Sequence, residues 1–242
     1  MKNYKQSLKF YKKALKINLI LENERSIAYN HNSIAFSYMW QRKPEKAMKS
    51  HKTALAIREK LDDKRGLGQS LFNIGNANFM ERNFKKALKY YQKGYLIAKD
   101  LNDKYTIACF LNNTASVNRD TGNYEEALKY YQRALAKFEY LETKYEIAST
   151  YNIIATVYYE MGDYNKPIQF FKKSIDMYKT LEQKRQMAER LFNLSETYYN
   201  KADYKKSLEY LSEAKIMFKK ANGNKDYELR ISILQLLNLK KM

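Results

Sequence analysis

Asn83-Phe84-Lys85-Lys86-Ala87-Leu88-Lys89-Tyr90-Tyr91-Gln92-Lys93-Gly94-Tyr95 opens with a phrase that returns every 40 residues along the chain. The other copies begin Asn3-Tyr4-Lys5-Gln6-Ser7-Leu8, Lys43-Pro44-Glu45-Lys46-Ala47-Met48 and Asn123-Tyr124-Glu125-Glu126-Ala127-Leu128. Two more follow at Asp163-Tyr164-Asn165-Lys166-Pro167-Ile168 and Asp203-Tyr204-Lys205-Lys206-Ser207-Leu208. A unit of this length cannot bury its own apolar face, so its copies must stack on one another. Periodicity then assigns the elements. Leu71, Ile74, Gly75 and Asn78 lie on one helical face, and Ala87, Leu88, Tyr91, Gly94 and Tyr95 lie on another. Each repeat is therefore a helix–turn–helix pair.

The turns support this reading. Asn83, Asn123, Asp163 and Asp203 are natural N-caps, and Pro44 falls at a first helical position, where the missing N–H costs nothing. Pro167 lies three residues further in and is expected to cost its helix one bond. Small residues form columns where helices must cross closely: Ala35, Gly75, Ala115, Ala155 and Ser195; Ala47, Ala87, Ala127, Pro167 and Ser207; Ala54, Gly94, Ala134, Ser174 and Ala214.

The combination in Asn83-Phe84…Ala87…Tyr91…Gly94 and Asn123-Tyr124…Ala127…Tyr131…Ala134 resembles the tetratricopeptide repeat (TPR). The resemblance implies an all-α fold, a right-handed α-solenoid of stacked antiparallel helix pairs. The repeat of 40 residues exceeds the family's usual length of about 34, which adds about a turn to each helix. This longer form is similar to the repeats of kinesin light chains, Pins-like polarity adaptors and Rap-type bacterial regulators. The expected organisation is a single TPR solenoid over 1–242: a second helix at 4–21, full repeats at 24–61, 64–101, 104–141, 144–181 and 184–221, and a terminal helix at 226–240.

The same resemblance implies that the first helices line a concave groove and bind an extended peptide or partner segment, as an adaptor or scaffold. The residues carried over for that role are Asn32, Phe36, Trp40, Phe72, Asn73, Asn76, Asn112, Asn113 and Arg119, continuing with Asn152, Tyr159, Glu160, Glu189, Asn193, Glu196 and Tyr199. Asparagine offers both donors and an acceptor, so a column of them can hold a peptide backbone with little regard to its side chains. The early groove is aromatic and the late groove acidic, which suggests a ligand with an apolar anchor followed by basic residues. The alternative is a ligand-sensing input region of a larger signalling protein, such as a sensor kinase or transcription regulator.

The formal charge of +19 invites a nucleic-acid reading. Its placement argues against one. Taking six groove positions from the first helix of each of the five full repeats, the set holds one Arg, Arg119, against Asp120, Glu160, Glu189 and Glu196, a net of −3. The lysines sit instead on the outer face of second helices, for example Lys85, Lys86, Lys89 and Lys93. Phosphate binding needs cations directed at the ligand. The 23 tyrosines recur at core spacing and read as packing residues. His31, His51 and Cys109 are too few for a zinc set, and no phosphate-binding Gly-rich loop occurs, so neither an enzyme site nor a cofactor is expected. No run of apolar residues is long enough to enter a bilayer. The expected partners are proteins or peptides, the expected compartment is the cytoplasm, and the open apolar ends admit self-association.

Overall fold

The computed structural model describes residues 2–221 and 225–241. Among them are twelve helices and no strand: α1 (Lys2–Ile20), α2 (Glu24–Trp40), α3 (Pro44–Lys60), α4 (Lys64–Met80), α5 (Phe84–Asp100), α6 (Lys104–Asp120), α7 (Tyr124–Tyr140), α8 (Lys144–Glu160), α9 (Lys166–Thr180), α10 (Lys184–Asn200), α11 (Tyr204–Lys220) and α12 (Lys225–Lys241). The fold class is an all-α repeat solenoid. The chain divides into two compact units, one ending at Thr121 and the other beginning at Gly122.

The half-repeat of 20 residues has a simple origin: most helices have 17 residues, and three more make the turn. After α5, Asn102 N–H donates to Lys99 O and Asp103 N–H to Ala98 O, which closes the helix in a Schellman turn. Asp103 then serves as N-cap of α6, its Oδ1 accepting from Thr106 N–H at 3.0 Å. One residue therefore ends one helix and starts the next. The middle turn residue is left-handed at Glu22, Arg42, Asp62, Arg82, Asn102, Glu142, Glu182 and Ala202, and at Gly122 and Gly162. Only two of these are the glycine that such a backbone favours.

The expected second-helix caps divide. Asp203 accepts from Lys206 N–H, but Asn83 and Asn123 make no side-chain cap bond. Side-chain caps form instead at Asn23, Asp63 and Asp103, between repeats. Pro167 also departs from expectation. Rather than losing a bond inside its helix, it moves the helix start to Lys166, so α9 has 15 residues and Pro167 lies in its first turn. Asp163 accepts from the N–H groups of Asn165 and Lys166 and holds the displaced segment.

In the first unit α1 to α6 pack in chain order, with α2 also touching α4 and α4 touching α6. Its core holds Ile34, Leu71, Ile74, Tyr91, Phe110 and Leu111. In the second unit α7 to α12 pack likewise, around Phe171, Leu191, Phe192, Leu194, Leu211 and Ile231. The small columns lie where helices cross, and Ala35, Ala47, Ala54, Ala87, Ala115, Ala127, Ala134 and Ala155 are fully buried. At the crossing of α10 and α11, serines replace alanines and bind reciprocally. Ser195 Oγ donates to Ser207 O, and Ser207 Oγ donates to Ser195 O, both at 2.9 Å.

Candidate peptide-binding face

In the first unit, Asn32, Asn76 and Asn113 of the predicted asparagines are tied into the helix array. Asn113 Nδ2 on α6 donates to Asn76 Oδ1 on α4, and the same oxygen accepts from Tyr91 Oη on α5, each at 2.7 Å. Asn76 thus joins three consecutive helices. Burial raises the Tyr91 pKa, so this hydroxyl remains a donor at neutral pH. Asn32 Oδ1 pairs with His51 Nδ1 at 2.9 Å. Desolvation lowers the His51 pKa to about 4, which leaves the ring neutral with Nδ1 as the donor. Asn73 is buried. Asn32 Nδ2 and Asn112 Oδ1 are buried without a hydrogen-bond partner among the described residues.

The aromatic residues separate into packed and open sets. Phe72 lies against Phe110 and Tyr91, with ring centroids at 5.4 and 6.4 Å, and belongs to the contact between repeats. Phe79 packs on Phe84. Phe36 is 49% exposed with its ring edge-on to His51, and Trp40 is 61% exposed while stacked on Tyr4 at 5.0 Å. Tyr29 and Met80 are exposed as well. The first helices of this unit therefore carry open aromatic and thioether surface beside a fixed polar network. Arg119 donates to Asp120 and does not stand as an isolated cation.

In the second unit Asn193 Nδ2 reaches Asn152 Oδ1 at 3.4 Å, and Asn200 Nδ2 donates to Tyr159 Oη at 2.6 Å. Tyr199 packs against Tyr204. The acidic residues are largely engaged by cations that the sequence reading did not place on this face. Glu189 accepts from Arg185 and Arg190, and Glu196 lies 3.8 Å from Arg230. Burial raises the Glu196 pKa, against the pull of Arg230. Glu160 is exposed.

The lysines named above, Lys85, Lys86, Lys89 and Lys93, are exposed on α5. Among the described residues no three His, Cys, Asp or Glu side chains gather as metal ligands, and no helix is long and apolar enough to cross a membrane. One feature lay outside the sequence reading. Arg58, 6% exposed, sits in the helix-packing column of Ala98, Phe138 and Tyr178. It borders a cavity of ≈ 540 Å³ between the ends of α4, α5 and α6. The available signal was a glycine excess: four of the chain's seven glycines, Gly66, Gly68, Gly75 and Gly94, fall in one repeat.

Stacked helix pairs with crossings through small residues define a repeat protein of the helical-hairpin class. Family profiles described as tetratricopeptide repeat match residues 24–100 and 106–180, and a further one matches 188–232. The chain belongs to the tetratricopeptide repeat family, whose members serve as protein-interaction modules. No curated protein sequence matches it. Among solved structures it is similar to BtubC (BKLC) from P. vanneervenii, with TM-score 0.81 and 18% identity over 91% of this chain and 93% of that one. It is also similar to the apo form of RapI, with TM-score 0.81 and 15% identity over 98% of this chain and 68% of that one. A Rap protein complexed with Competence and Sporulation Factor matches with TM-score 0.72 and 18% identity, over 100% of this chain and 72% of that one.

Proposed function

We propose that the chain is a peptide-binding TPR module, and that the face formed by α2 and α4 takes the apolar anchor of an extended segment of a partner protein. The observation that carries this reading is the exposure of Phe36, Trp40 and Met80 together with Tyr29 on first helices. Open aromatic and methionine surface beside a rigid polar frame suits an interface hot spot. The asparagines contribute chiefly by order. Asn76 and Asn113 hold α4 and α6 in register, so the face is preorganised and the ligand bears most of the ordering entropy. A Rap protein solved in complex with Competence and Sporulation Factor shares this fold, which is compatible with a ligand-binding use of the array.

Trp40 is the only tryptophan and reports on this face directly. Peptides selected from a random displayed library should shift its emission on binding. Phe36→Ala is expected to weaken them by about 30-fold, the effect of losing a hot-spot contact of about 2 kcal/mol. Selected peptides that bind without changing Trp40 emission and tolerate Phe36→Ala would remove the basis of the proposal.

A further inference from the structure

The cavity between α4, α5 and α6 is bordered by residues that break the periodic pattern, two of them glycines. At the position of Gly68 other repeats carry Ala28, Ala108, Ala148 and Ala188. Glycine is the poorest helix former after proline, and it is kept inside helices where something approaches closely. Nothing in the chain does so here. A Cβ built on Gly68 would meet only Ile97, at an ordinary 3.8 Å. Gly66 differs, because a side chain there would collide with Arg58 and Asp63. Gly66 lets the guanidinium lie along the backbone, and Gly68 leaves open space in front of it.

Arg58 spends three N–H groups on neutral acceptors: Gly66 O at 2.7 Å, Ser70 Oγ at 2.9 Å and Gln69 Oε1 at 3.1 Å. A guanidinium has five such donors and a planar fork suited to carboxylates. Asp63 caps α4 through Oδ1 and Asp103 caps α6, and Asp63 is also close enough to act on the charge of the guanidinium. Phe72, Ile97, Leu101 and Tyr105 supply apolar walls, and the volume of ≈ 540 Å³ is that of a small-ligand site. Burial of the cation lowers its pKa, and the nearby Asp63 carboxylate opposes that shift.

We propose that this cavity binds an apolar carboxylate, its hydrocarbon group over Gly68 and its carboxylate toward Arg58, either as a free small acid or as the C-terminal residue of a peptide. The site is separate from the aromatic face of α2 and α4 proposed above.

The test uses calorimetry with three probes: N-acetylphenylalanine, its amide, and the peptide Ala-Ala-Ala-Phe with a free C-terminus. Alkylation of Cys109, the only thiol and a wall of the cavity, locates the binding. The acid is expected to bind saturably, to slow alkylation of Cys109, and to bind at least tenfold more tightly than the amide. Gly68→Leu should fill the space without disturbing the helix and should weaken the acid at least tenfold. Arg58→Gln should abolish the difference between acid and amide. Tighter binding of the peptide than of the free acid would identify a chain terminus as the source, and the reverse order a metabolite-like acid; either supports the site. Absence of saturable binding, equal affinity for acid and amide, or full affinity in Gly68→Leu would overturn it. Phe36→Ala is expected to leave the acid unaffected, so failure of the aromatic face and failure of this cavity are read separately.

Discussion

Gly94→Ala tests the packing between repeats with a result that depends on one other residue. At this column other repeats carry Ala54, Ala134, Ser174 and Ala214, all fully buried, so a methyl group is the normal occupant. In α5 the space is taken by the ring of Phe110. A Cβ on Gly94 would overlap that ring, with Cε1 at 2.6 Å and Cε2 at 2.9 Å and Cζ nearer still. The ring has nowhere to move, since Phe110 is 0% exposed and lies against Phe72 and Tyr91. Overpacking costs about 1–3 kcal/mol, and an overlap this deep belongs at the upper end. Alanine returns about 1 kcal/mol of helix propensity, which leaves a net destabilisation of about 2 kcal/mol. In a Phe110→Ser background, serine being the residue of this column at Ser70, the ring is gone and only the propensity gain remains. Gly94→Ala should then stabilise by about 1 kcal/mol, so the two sites couple by about 3 kcal/mol. Urea unfolding of the four proteins by circular dichroism and by hydrogen exchange within α5 gives the cycle. Equal destabilisation in both backgrounds would show that Phe110 is not why residue 94 is glycine.

Three further outcomes follow from local features. His51, with its pKa lowered to about 4 by burial, is protonated in the unfolded chain from about pH 6.5 downward; stability should fall between pH 6.5 and 4 by up to about 3 kcal/mol, and acid titration of His51→Tyr should lack most of that loss. Gly162→Ala meets no atom within 4 Å, so its expected cost of about 1 kcal/mol is purely that of the left-handed backbone, and Ala202→Gly at φ 60° should gain a similar amount in thermal unfolding. The Ser195→Ala, Ser207→Ala pair recreates the alanine crossing of Ala35 with Ala47 and of Ala115 with Ala127 and should lie within about 1 kcal/mol of the parent by urea titration, because both hydrogen-bonding hydroxyls leave together.

The helix pairs and their crossings were legible because burial imposes a period, and the small columns obey it in every repeat. Caps were legible only in part. Asp63, Asp103 and Asp203 bind amides of the first turn, whereas Asn83 occupies the same kind of position and donates to Glu81 instead. Beyond Gly122 and Gly162 the left-handed turn residues left no composition signal, since the Schellman bonds are made by backbone and tolerate Glu, Arg, Asp, Asn or Ala at a modest cost. The asparagine column was visible as a column, but not its bonding. Asn113 meets Asn76 and Asn193 meets Asn152 across successive first helices, a separation of about one period that a single-helix wheel does not display. The charge on the late groove positions was misjudged for a similar reason: Arg190 and Arg230 reach Glu189 and Glu196 from positions outside the set counted.

A periodic chain carries its own control, because each position is answered by the same position in the other repeats. Departures from the column therefore need a local cause, and the causes can be told apart. Gly75 gives way to the ring of Tyr91, and Gly94 to that of Phe110, so both are explained by the packing of the chain itself. Gly66 gives way to Arg58. Gly68 gives way to nothing, and Arg58 places a charged side chain in a column held elsewhere by Ala98, Phe138 and Tyr178. Packing alone would have favoured alanine at 68 and an apolar residue at 58, since a buried cation is costly unless its donors and its charge are both met. Neutral oxygens meet three of the donors, and Asp63 offsets part of the charge. Both departures border one cavity, and the apolar anion proposed for it would account for the missing side chain and the retained charge together.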